Sequence, residues 1–413
     1  MKLRNFKHSK ETESNKLWIV TELFSPDQTS TAFILTEVAK FLNKSREVEV
    51  ICGPSNYDQI SGKGVSDSNS DLKITRLRSL NVNKNNLFFR SIKQLILSLQ
   101  LSIKYLAKSK RGEHVLIVTN PVPILLVFAL ISKFTKRKIN LLVHDVFPEN
   151  TLPSKIISSH DSLIYWLLKK IFDHAYSQFD TLIVLGRDMK LVLNNKINFK
   201  KGKKTSIKII ENWADIDEVY PTQPNNIYFD QWGVSNKFIF LFAGNIGRNQ
   251  ALDELFDVIK NVTNPYLHFV FMGEGASKEK LIQFKTIEKL SNISITSSFP
   301  RSEQCSILNS CNVGLVTLAI GMKGLGVPSK SYNILAAGKP ILFFGDENSE
   351  ISLLINENKV GWSFNSAADL LNFFNTIDED FVEISNQIGR KSRRVAEEQY
   401  SKSLILKKFE QFL

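Results

Sequence analysis

The sequence has few cysteines and no long hydrophobic run. Its 413 residues contain three cysteines, Cys52, Cys305 and Cys311, and no Cys-x-x-Cys pair. This pattern predicts neither a disulfide framework nor a zinc site, and it favours a reducing cytoplasm. The longest apolar stretch, residues 121–134, is shorter than the ~20 residues that span a bilayer, so we predict a buried helix there.

The N-terminal segment also lacks an apolar core. Residues 1–15 are mostly charged and polar, so we predict a disordered tail there rather than a secretory signal peptide. The formal net charge of the whole chain is +12, which indicates anionic partners. Because the positive charge is dispersed and no recognition motif for nucleic acid is present, nucleic acid is not a predicted partner.

The rest of the chain repeats one pattern of short apolar strands and helix-length segments. The strands are continuous apolar runs, such as 17–20 and 115–118, as expected for parallel sheets covered by helices on both faces. The pattern predicts an α/β protein with two doubly wound, Rossmann-like domains facing a central cleft. We place the first domain at 16–205, a polar, proline-containing linker at 206–226, the second domain at 227–395 and a closing helix at 396–413.

A lysine stands at the start of a predicted helix in the second domain. Pro328 and Ser329 suit the first turn of this helix, and the glycine-rich loop 321–327 precedes them. Free N–H groups at a helix start, together with glycines that permit close backbone approach, favour an anion beside Lys330. The alternative is an ordinary solvated lysine. We interpret Lys330 as a residue that binds a phosphorylated ligand.

Two further loops connect strands to helices in the second domain. The first contains Asn245 and Arg248, and the second contains Gly273 and Glu274. Loops of this kind can cradle phosphate groups. Neither has the Gly-x-Gly-x-x-Gly pattern or a P-loop lysine, so the sequence predicts no nicotinamide cofactor and no ATP hydrolysis.

In the first domain, candidate catalytic residues follow the apolar run 139–143. His144 and Asp145 stand at its carboxyl end, where a histidine beside a carboxylate can take part in catalysis. Glu149 on the same loop is a second candidate carboxylate. The Asp-x-Asp pattern at 215–217 is more typical of a helix cap than of a metal site, so no metal is predicted.

The segment 86–111 is both apolar and basic, with too many apolar positions for one narrow helical face. It is either a packed helix of the first domain or a surface helix that lies on an anionic membrane. The sequence leaves these two possibilities open.

Six motifs follow one another in a specific order from residue 17 to the end of the chain. They are FSPDQTST, VHDVFPEN, IIENWADIDEVYP, FAGNIGRNQALDEL, GLVTLAIGMKGLGVPSKSYNILAAGKPIL and GDENSEISLLINENKVGW. In this order and spacing they resemble the GT-B retaining glycosyltransferases of family 4. The resemblance is strongest to the bacterial surface-polysaccharide branch, which includes O-antigen fucosaminyltransferases and colanic-acid transferases.

The resemblance implies a nucleotide-sugar donor bound mainly by the second domain and an acceptor bound by the first. Asn245, Arg248 and Lys330 would surround the donor diphosphate, and the segment 298–301 would meet the base. His144 matches the histidine thought to contact the transferred sugar. The donor-binding candidates are Asn245, Arg248, Gly273, Glu274, Ser298, Phe299, Arg301, Ser329, Lys330, Asn333 and Glu350. The catalytic candidates are His144, Asp145 and Lys330, and the acceptor-side candidates are Thr29, Ser30 and Glu149.

The chain departs from the family pattern at three places. Two glutamates that stand eight positions apart in the family are replaced by Leu325 and Asn333. The phosphate-binding arginine and lysine of the family's first loop in the second domain correspond to Asn245 and Gln250. Residues 29–30, a threonine and a serine, replace a glycine pair. We interpret these departures as subfamily differences.

The implied activity is metal-independent hexosyl transfer, with retention of configuration, in O-antigen or lipopolysaccharide biosynthesis. Cationic groups would stabilise the leaving diphosphate, and His144 would position the sugar rather than act as an essential base. The acceptor would be a lipid-linked or other glycan, which implies a cytoplasmic protein in peripheral contact with the inner face of the membrane. A nucleotide-sugar 2-epimerase and a non-catalytic sugar-nucleotide-binding protein remain alternatives.

Overall fold

The computed structural model of the chain describes residues 16–55, 71–78, 87–135, 137–157, 159–197, 205–234 and 236–413. The predicted N-terminal tail lies outside these ranges. Within them, no helix combines the length and the apolar composition needed to cross a membrane.

The first domain is built on a parallel sheet. Its strands are β1 (Lys16–Thr21), β2 (Glu47–Cys52), β3 (Lys73–Arg76), β4 (His114–Val118), β5 (Lys138–Val143), β6 (Thr181–Val184) and β7 (Ser206–Ile209). They lie in the order β3-β2-β1-β4-β5-β6-β7. The accompanying helices are α1 (Ser30–Leu42), α2 (Leu87–Lys108), α3 (Ile124–Phe134), α4 (Leu163–Tyr176) and α5 (Arg187–Ile197). Consecutive residues of the central strands are buried, which explains their continuous apolar sequence.

The second domain repeats this arrangement. Its strands are β8 (Phe238–Ala243), β9 (Leu267–Met272), β10 (Ile293–Thr296), β11 (Val313–Thr317), β12 (Ile341–Phe344) and β13 (Gly361–Phe364). They lie in the order β10-β9-β8-β11-β12-β13. The helices are α6 (Asn226–Trp232), α7 (Leu252–Ile259), α8 (Lys278–Ile287), α9 (Gln304–Asn309), α10 (Lys330–Ala336), α11 (Glu350–Asn358), α12 (Ala367–Asn375), α13 (Phe381–Gln399) and α14 (Lys402–Phe412). The predicted pair of doubly wound domains is therefore confirmed.

The chain passes from the first domain to the second after β7 and returns to the first domain in α14. Strand β7 falls inside the predicted linker 206–226, so the first residues of that segment belong to the first sheet. Helix α14 packs on α1, and Lys408 Nζ lies 2.6 Å from Glu211 Oε2. At the chain end, the backbone oxygen of Leu413 lies 3.0 Å from His114 Nδ1. The closing helix thus ties the second domain back to the first.

The strand order determines where a ligand can bind. In both sheets the order in which successive strands are added reverses next to the first strand, between β1 and β4 and between β8 and β11. The loops that leave the carboxyl ends of these strands diverge and open a crevice, where open α/β sheets bind their ligands. In the second domain these are the loop after β8, which contains Arg248, and the loop after β11, which leads to Lys330.

Candidate active site

A cleft between the two domains holds two adjacent cavities. The larger has a volume of about 920 Å³ and the smaller of about 320 Å³. Both domains line each of them, and the two cavities share several lining residues, including Ser30, Asn212, Asn245, Gln250 and Ser329. The structure therefore brings together loops that are more than two hundred residues apart in the sequence.

Lys330 is the cation at the base of the smaller cavity. Its Nζ lies 3.3 Å from the centroid of the Phe242 ring and has no hydrogen-bond partner among the described residues. A Cβ at Gly244 would lie 3.3 Å from this Nζ, so the glycine leaves room for the lysine. Burial lowers the pKa of Lys330 to about 7. A cation that is removed from water without a counterion favours the binding of an anionic ligand beside it.

The loop after β8 faces both cavities. Asn245 lines both of them, and Arg248, which begins a short 3₁₀ turn, lines the larger. The side chain of Arg248 is exposed and forms no ion pair within the described part of the chain. Arg248 and Lys330 are therefore two cationic side chains in or next to the loops that follow β8 and β11, where the strand order of the second sheet reverses.

Gly273 and Glu274 do not line either cavity, so their predicted contact with the donor is not supported by their position. A Cβ at Gly273 would lie 1.8 Å from the backbone oxygen of Gly244, which shows that this glycine allows the two loops to pack together. Glu274 forms a surface ion pair with Lys278, with 2.7 Å between Oε1 and Nζ. The loop after β9 therefore supports the loop after β8 from behind.

From the first domain, His144 and Asp145 enter the larger cavity at the end of β5. His144 Nδ1 lies 3.5 Å from Thr31 Oγ1, whereas its Nε2 has no partner among the described residues. Burial lowers the pKa of His144 to about 4, so the imidazole is neutral at physiological pH. Asp145 is enclosed by both domains yet reached by water in the cleft, and desolvation raises its pKa to about 6.

The smaller cavity also contains an aromatic and cationic wall. Phe299 and Arg301 line it, and the Arg301 guanidinium lies 3.3 Å from the centroid of the Phe33 ring. Arg301 Nη2 also lies 3.2 Å from Asp215 Oδ2, in agreement with a structural role for the Asp-x-Asp segment. Ser298, the neighbour of Phe299, lines neither cavity. A planar wall of this kind can stack on a nucleobase.

Asn333 lines the smaller cavity, but its amide is engaged in protein hydrogen bonds. Its Oδ1 accepts the backbone N–H of Asp215 at 3.1 Å, and its Nδ2 donates to Gln304 Oε1 at 3.2 Å. Ser329 borders both cavities at the start of α10. Thr29 caps α1 by accepting the N–H of Ala32, and Ser30 is the residue of this pair that faces the cleft.

Two predicted carboxylates lie elsewhere. Glu149 lies 2.9 Å from Lys169 Nζ and 2.7 Å from Lys196 Nζ, in an ion-pair cluster outside the cleft. Glu350 is buried and pairs with Arg187 of the first domain, with 3.0 Å between Oε1 and Nη2. Neither carboxylate lines the two cavities and each is paired with a protein cation, so their positions do not support the predictions of an acceptor-side Glu149 and a donor-binding Glu350.

The structure adds residues that the sequence analysis overlooked. Asn212 and Trp213 line the smaller cavity, and their position shortly after β7 is the signal that could have identified them. Thr119 Oγ1, at the end of β4, accepts the backbone N–H groups of His144 and Asp145 at 3.1 and 3.3 Å. In the described part of the chain, no group of three or more histidine, cysteine, aspartate or glutamate side chains could hold a metal ion.

Comparison with known proteins identifies relatives of the chain. It is 36% identical over 330 residues to "Probable glycosyltransferase WbjE" of Pseudomonas aeruginosa, covering 79% of this chain and 80% of that protein. It is also 27% identical over 122 residues to "Putative colanic acid biosynthesis glycosyl transferase WcaI" of Escherichia coli K12, covering 29% of each chain. No family model matches the chain.

Solved structures share its fold over nearly the whole length. Sucrose-phosphate synthase of Thermosynechococcus elongatus superimposes with a TM-score of 0.73 at 13% identity, covering 96% of this chain and 97% of that one. Anabaena HepE in complex with UDP-glucose superimposes with a TM-score of 0.69 at 14% identity, covering 96% and 98%. The TM-scores show a common fold, and at these low identities they show nothing beyond the fold.

Proposed function

The chain belongs to the glycosyltransferases of the GT-B fold, and from this premise we propose that it moves a sugar from a nucleoside-diphosphate sugar to a glycan acceptor, with the donor diphosphate bound at Lys330. The observation that carries the proposal is the free Nζ of Lys330 inside the cleft. A diphosphate would provide the missing counterion and restore the pKa of this lysine toward its ordinary value.

In this proposal, the second domain holds the donor. The diphosphate lies between Lys330 and Arg248, and the base stacks near Phe299 and Arg301 in the smaller cavity. HepE, which has the same fold, binds UDP-glucose, so uridine nucleotides are the first donors to test. The sugar would then point from the diphosphate toward His144 and Asp145 on the opposite wall.

The chemistry follows from where charge develops. As the bond between the anomeric carbon and the diphosphate breaks, negative charge grows on the leaving phosphate and positive charge grows on the sugar ring. Lys330 and Arg248 stabilise the phosphate in the role that a metal ion has in other transferases. The acceptor hydroxyl attacks the anomeric carbon from the face that the diphosphate leaves and gives its proton to the leaving phosphate oxygen, so the configuration is retained.

The first-domain residues orient the sugar and the acceptor. The neutral His144 can form a hydrogen bond with a sugar hydroxyl through its free Nε2. The Asp145 carboxylate is mostly ionised at neutral pH and can accept a hydrogen bond from the attacking hydroxyl. An epimerase is less favoured, because it needs an acid–base pair against the sugar, and a histidine with a pKa of about 4 is a poor proton carrier near pH 7.

Calorimetric titration with UDP, GDP and their glucose conjugates tests the donor site. We expect one nucleotide-sugar to bind and the variant Lys330→Met to bind it about a hundredfold more weakly, since a charge-assisted contact is lost. Incubation of the bound donor with purified membrane lipids, followed by detection of free nucleoside diphosphate, separates a transferase from a non-catalytic binding protein. Wild-type affinity in the Lys330→Met variant would contradict the proposal.

We further propose that the acceptor is a lipid-linked glycan of surface-polysaccharide synthesis at the inner face of the cytoplasmic membrane. The relative WcaI, whose name refers to colanic acid biosynthesis, supports this acceptor class. The larger cavity supports it too, because part of its lining is apolar. This part, termed the apolar end, consists of Val122, Leu126, Phe147, Ile156, Leu168 and Phe172.

The helices around this apolar end present an exposed apolar surface. Helix α3 packs against both α2 and α4. Leu97, Leu101 and Tyr105 of α2 are buried, so α2 is a packed helix, yet its other side remains apolar and exposed. The exposed apolar residues on the three helices are Phe89, Ile92, Leu95, Leu99, Ile103, Leu106, Leu130, Phe134, Leu163, Ile164, Trp166, Leu167 and Ile171.

The charge of the same helices favours an anionic bilayer as the partner of this surface. Helices α2, α3 and α4 together contain seven lysines and arginines and a single acidic residue, Asp173. Apolar side chains flanked by cations bind the interface of anionic membranes. The apolar end of the acceptor cavity would then open toward the lipid that carries the acceptor.

Sedimentation with phosphatidylglycerol or phosphatidylcholine vesicles tests this contact. The double variant Leu163→Gln/Leu167→Gln on α4 should bind vesicles at least about tenfold more weakly than the wild type, because apolar burial is lost. The control is Ile287→Gln on α8, since Ile287 is 75% exposed and Leu163 is 76% exposed. Wild-type binding by the double variant would contradict the proposal. A dimer in light scattering that this variant dissociates would instead assign the surface to self-association.

A further inference from the structure

A loop of the second domain is held by the first domain immediately before Lys330. Residues 318–329 connect β11 to α10, and the backbone oxygen of Leu325 accepts the N–H of Val146 at 2.9 Å. Next to this contact, Gly326 and Asp145 form an antiparallel bridge. The loop that leads to the diphosphate-binding lysine therefore touches the first-domain segment that carries His144 and Asp145.

Asp188 of the first domain holds the same loop from another side. It lies in the first turn of α5 and is 4% exposed. Its Oδ2 accepts the backbone N–H groups of Gly324 and Glu350, each at 3.0 Å, and its Oδ1 accepts the N–H of Met189 at 2.7 Å. One buried carboxylate thus serves its own helix and two separate segments of the other domain.

The contact at Gly324 is close. This residue has a φ of +74°, and a Cβ on it would lie 2.5 Å from Val192 Cγ2 and 2.8 Å from the backbone oxygen of Asp188. A bare backbone is therefore needed for α5 to approach. The carboxylate of Asp346 accepts the N–H groups of Gly321 and Lys323 at 2.8 and 2.9 Å, which joins the loop to the segment before α11. The two segments bound by Asp188 are hence also joined directly to each other.

We propose that Asp188 is a positioning residue that keeps the domains closed and places the loop before Lys330 against His144 and Asp145. This inference goes beyond the proposed function, because Asp188 lies outside the cleft and touches neither donor nor acceptor. Hydrogen bonds to a carboxylate are stronger than those between neutral groups, so closure is favoured. When the domains separate, water can solvate the carboxylate, which makes the closure reversible rather than permanent.

A purely local role is the alternative, because Asp188 also binds the N–H of Met189 within α5. The variants Asp188→Ala and Asp188→Asn separate the two roles. Amide hydrogen exchange at Gly324 and Glu350 reports the interdomain contacts directly, and small-angle scattering reports the separation of the domains. A local role would leave both measurements unchanged.

For Asp188→Ala we expect faster exchange at Gly324 and Glu350, a larger radius of gyration and a kcat reduced by about tenfold or more. Donor affinity, which depends on the second domain, should change by less than about threefold. Asp188→Asn should show the same changes with smaller magnitude. It provides the test if the alanine variant does not fold. The control is Glu357→Gln, which removes an exposed partner of Arg187 and should leave kcat unchanged.

Unchanged exchange at Gly324, or unchanged kcat in a variant whose exchange is faster, would overturn the proposal. If the wild-type protein transferred no sugar, the proposed function would fail, whereas exchange and scattering would still decide whether Asp188 closes the domains. The two conclusions can therefore fail separately.

Discussion

Replacement of Lys330 by methionine should weaken donor binding and at the same time stabilise the free protein. The pKa of Lys330 falls from its ordinary 10.5 to about 7 because the ammonium group is buried, with no hydrogen-bond partner among the described residues. At about 1.36 kcal/mol per pKa unit, this shift corresponds to at most ~5 kcal/mol of destabilisation when the lysine is charged, and water in the cleft reduces that value. Methionine has a similar shape and no charge, so it removes this cost.

The dependence on pH has a definite sign. Between pH 7 and 10.5 the unfolded chain binds a proton at Lys330 that the folded chain does not, so the free energy of unfolding of the wild type rises with pH in this window. The stability advantage of Lys330→Met should therefore be largest at or below about pH 7 and disappear toward pH 10.5. Calorimetric unfolding at several pH values measures it, and we expect a Tm increase of about 2 °C or more at neutral pH.

Donor affinity should change with pH in the opposite direction to the free energy of unfolding. The diphosphate binds best to the charged lysine, so the affinity of the wild type should fall as the pH rises above about 7, by up to about tenfold per pH unit, and binding should take up a proton. Titration in two buffers of different ionisation enthalpy detects this proton. The loss of transition-state stabilisation should lower kcat/KM of Lys330→Met by about 10²–10³.

A second buried lysine provides the matched control. Lys339 lies beyond the other end of α10, donates to the backbone oxygen of Asn309 at 3.1 Å and lines neither cavity. Burial lowers its pKa as well. Lys339→Met should therefore leave donor affinity and its pH dependence unchanged. Equal donor affinity in Lys330→Met and wild type, or binding without proton uptake between about pH 7 and 9, would refute the reasoning.

Two further predictions concern carboxylates of the first domain. Because desolvation raises the pKa of Asp145 to about 6, wild-type kcat/KM should fall as the pH is lowered through about 6. The variant Asp145→Asn should be slower, and its kcat/KM should not fall in this pH range. An identical pH profile in the variant and the wild type would exclude Asp145 from the reaction. Glu149→Gln should lower the free energy of unfolding by about 1–3 kcal/mol, since the buried Lys196 then keeps one carboxylate among the described residues, Asp173, while KM and kcat stay at wild-type values. Thermal unfolding and steady-state kinetics check this second prediction. A variant that loses activity but keeps its stability would contradict it.

The elements that sequence reasoning predicted are those whose signal is local. Strands such as β4 and β8 are buried over consecutive residues, so a continuous apolar run identifies them. The edge strands β3 and β13 contain no fully buried residue, and for this reason their sequences lack that signal. The cationic residues of the site were predictable because Arg248 and Lys330 follow strands next to which the chain order reverses.

The roles of the carboxylates could not be predicted in the same way. Glu149 and Glu350 both follow the end of a strand in the sequence, β5 and β12, as catalytic acids often do. Their partners are lysines and an arginine that are distant in the chain; Arg187, for example, lies 163 positions from Glu350. No local pattern records such a pair, since it forms only when both domains are folded and closed.

The sequence by itself determined the two doubly wound domains and the loops that carry Asn245, Arg248, Lys330 and His144, because hydrophobic periodicity and turn residues act over a few neighbouring positions. Only the tertiary structure decided which charged groups are free. It neutralised Glu149 and Glu350, left the Nζ of Lys330 without a partner and placed Asp188 against the loop before it. Ion pairing and desolvation depend on groups that come together through the whole fold, and this is the physical reason why the sequence could indicate candidate site residues but not their charge state.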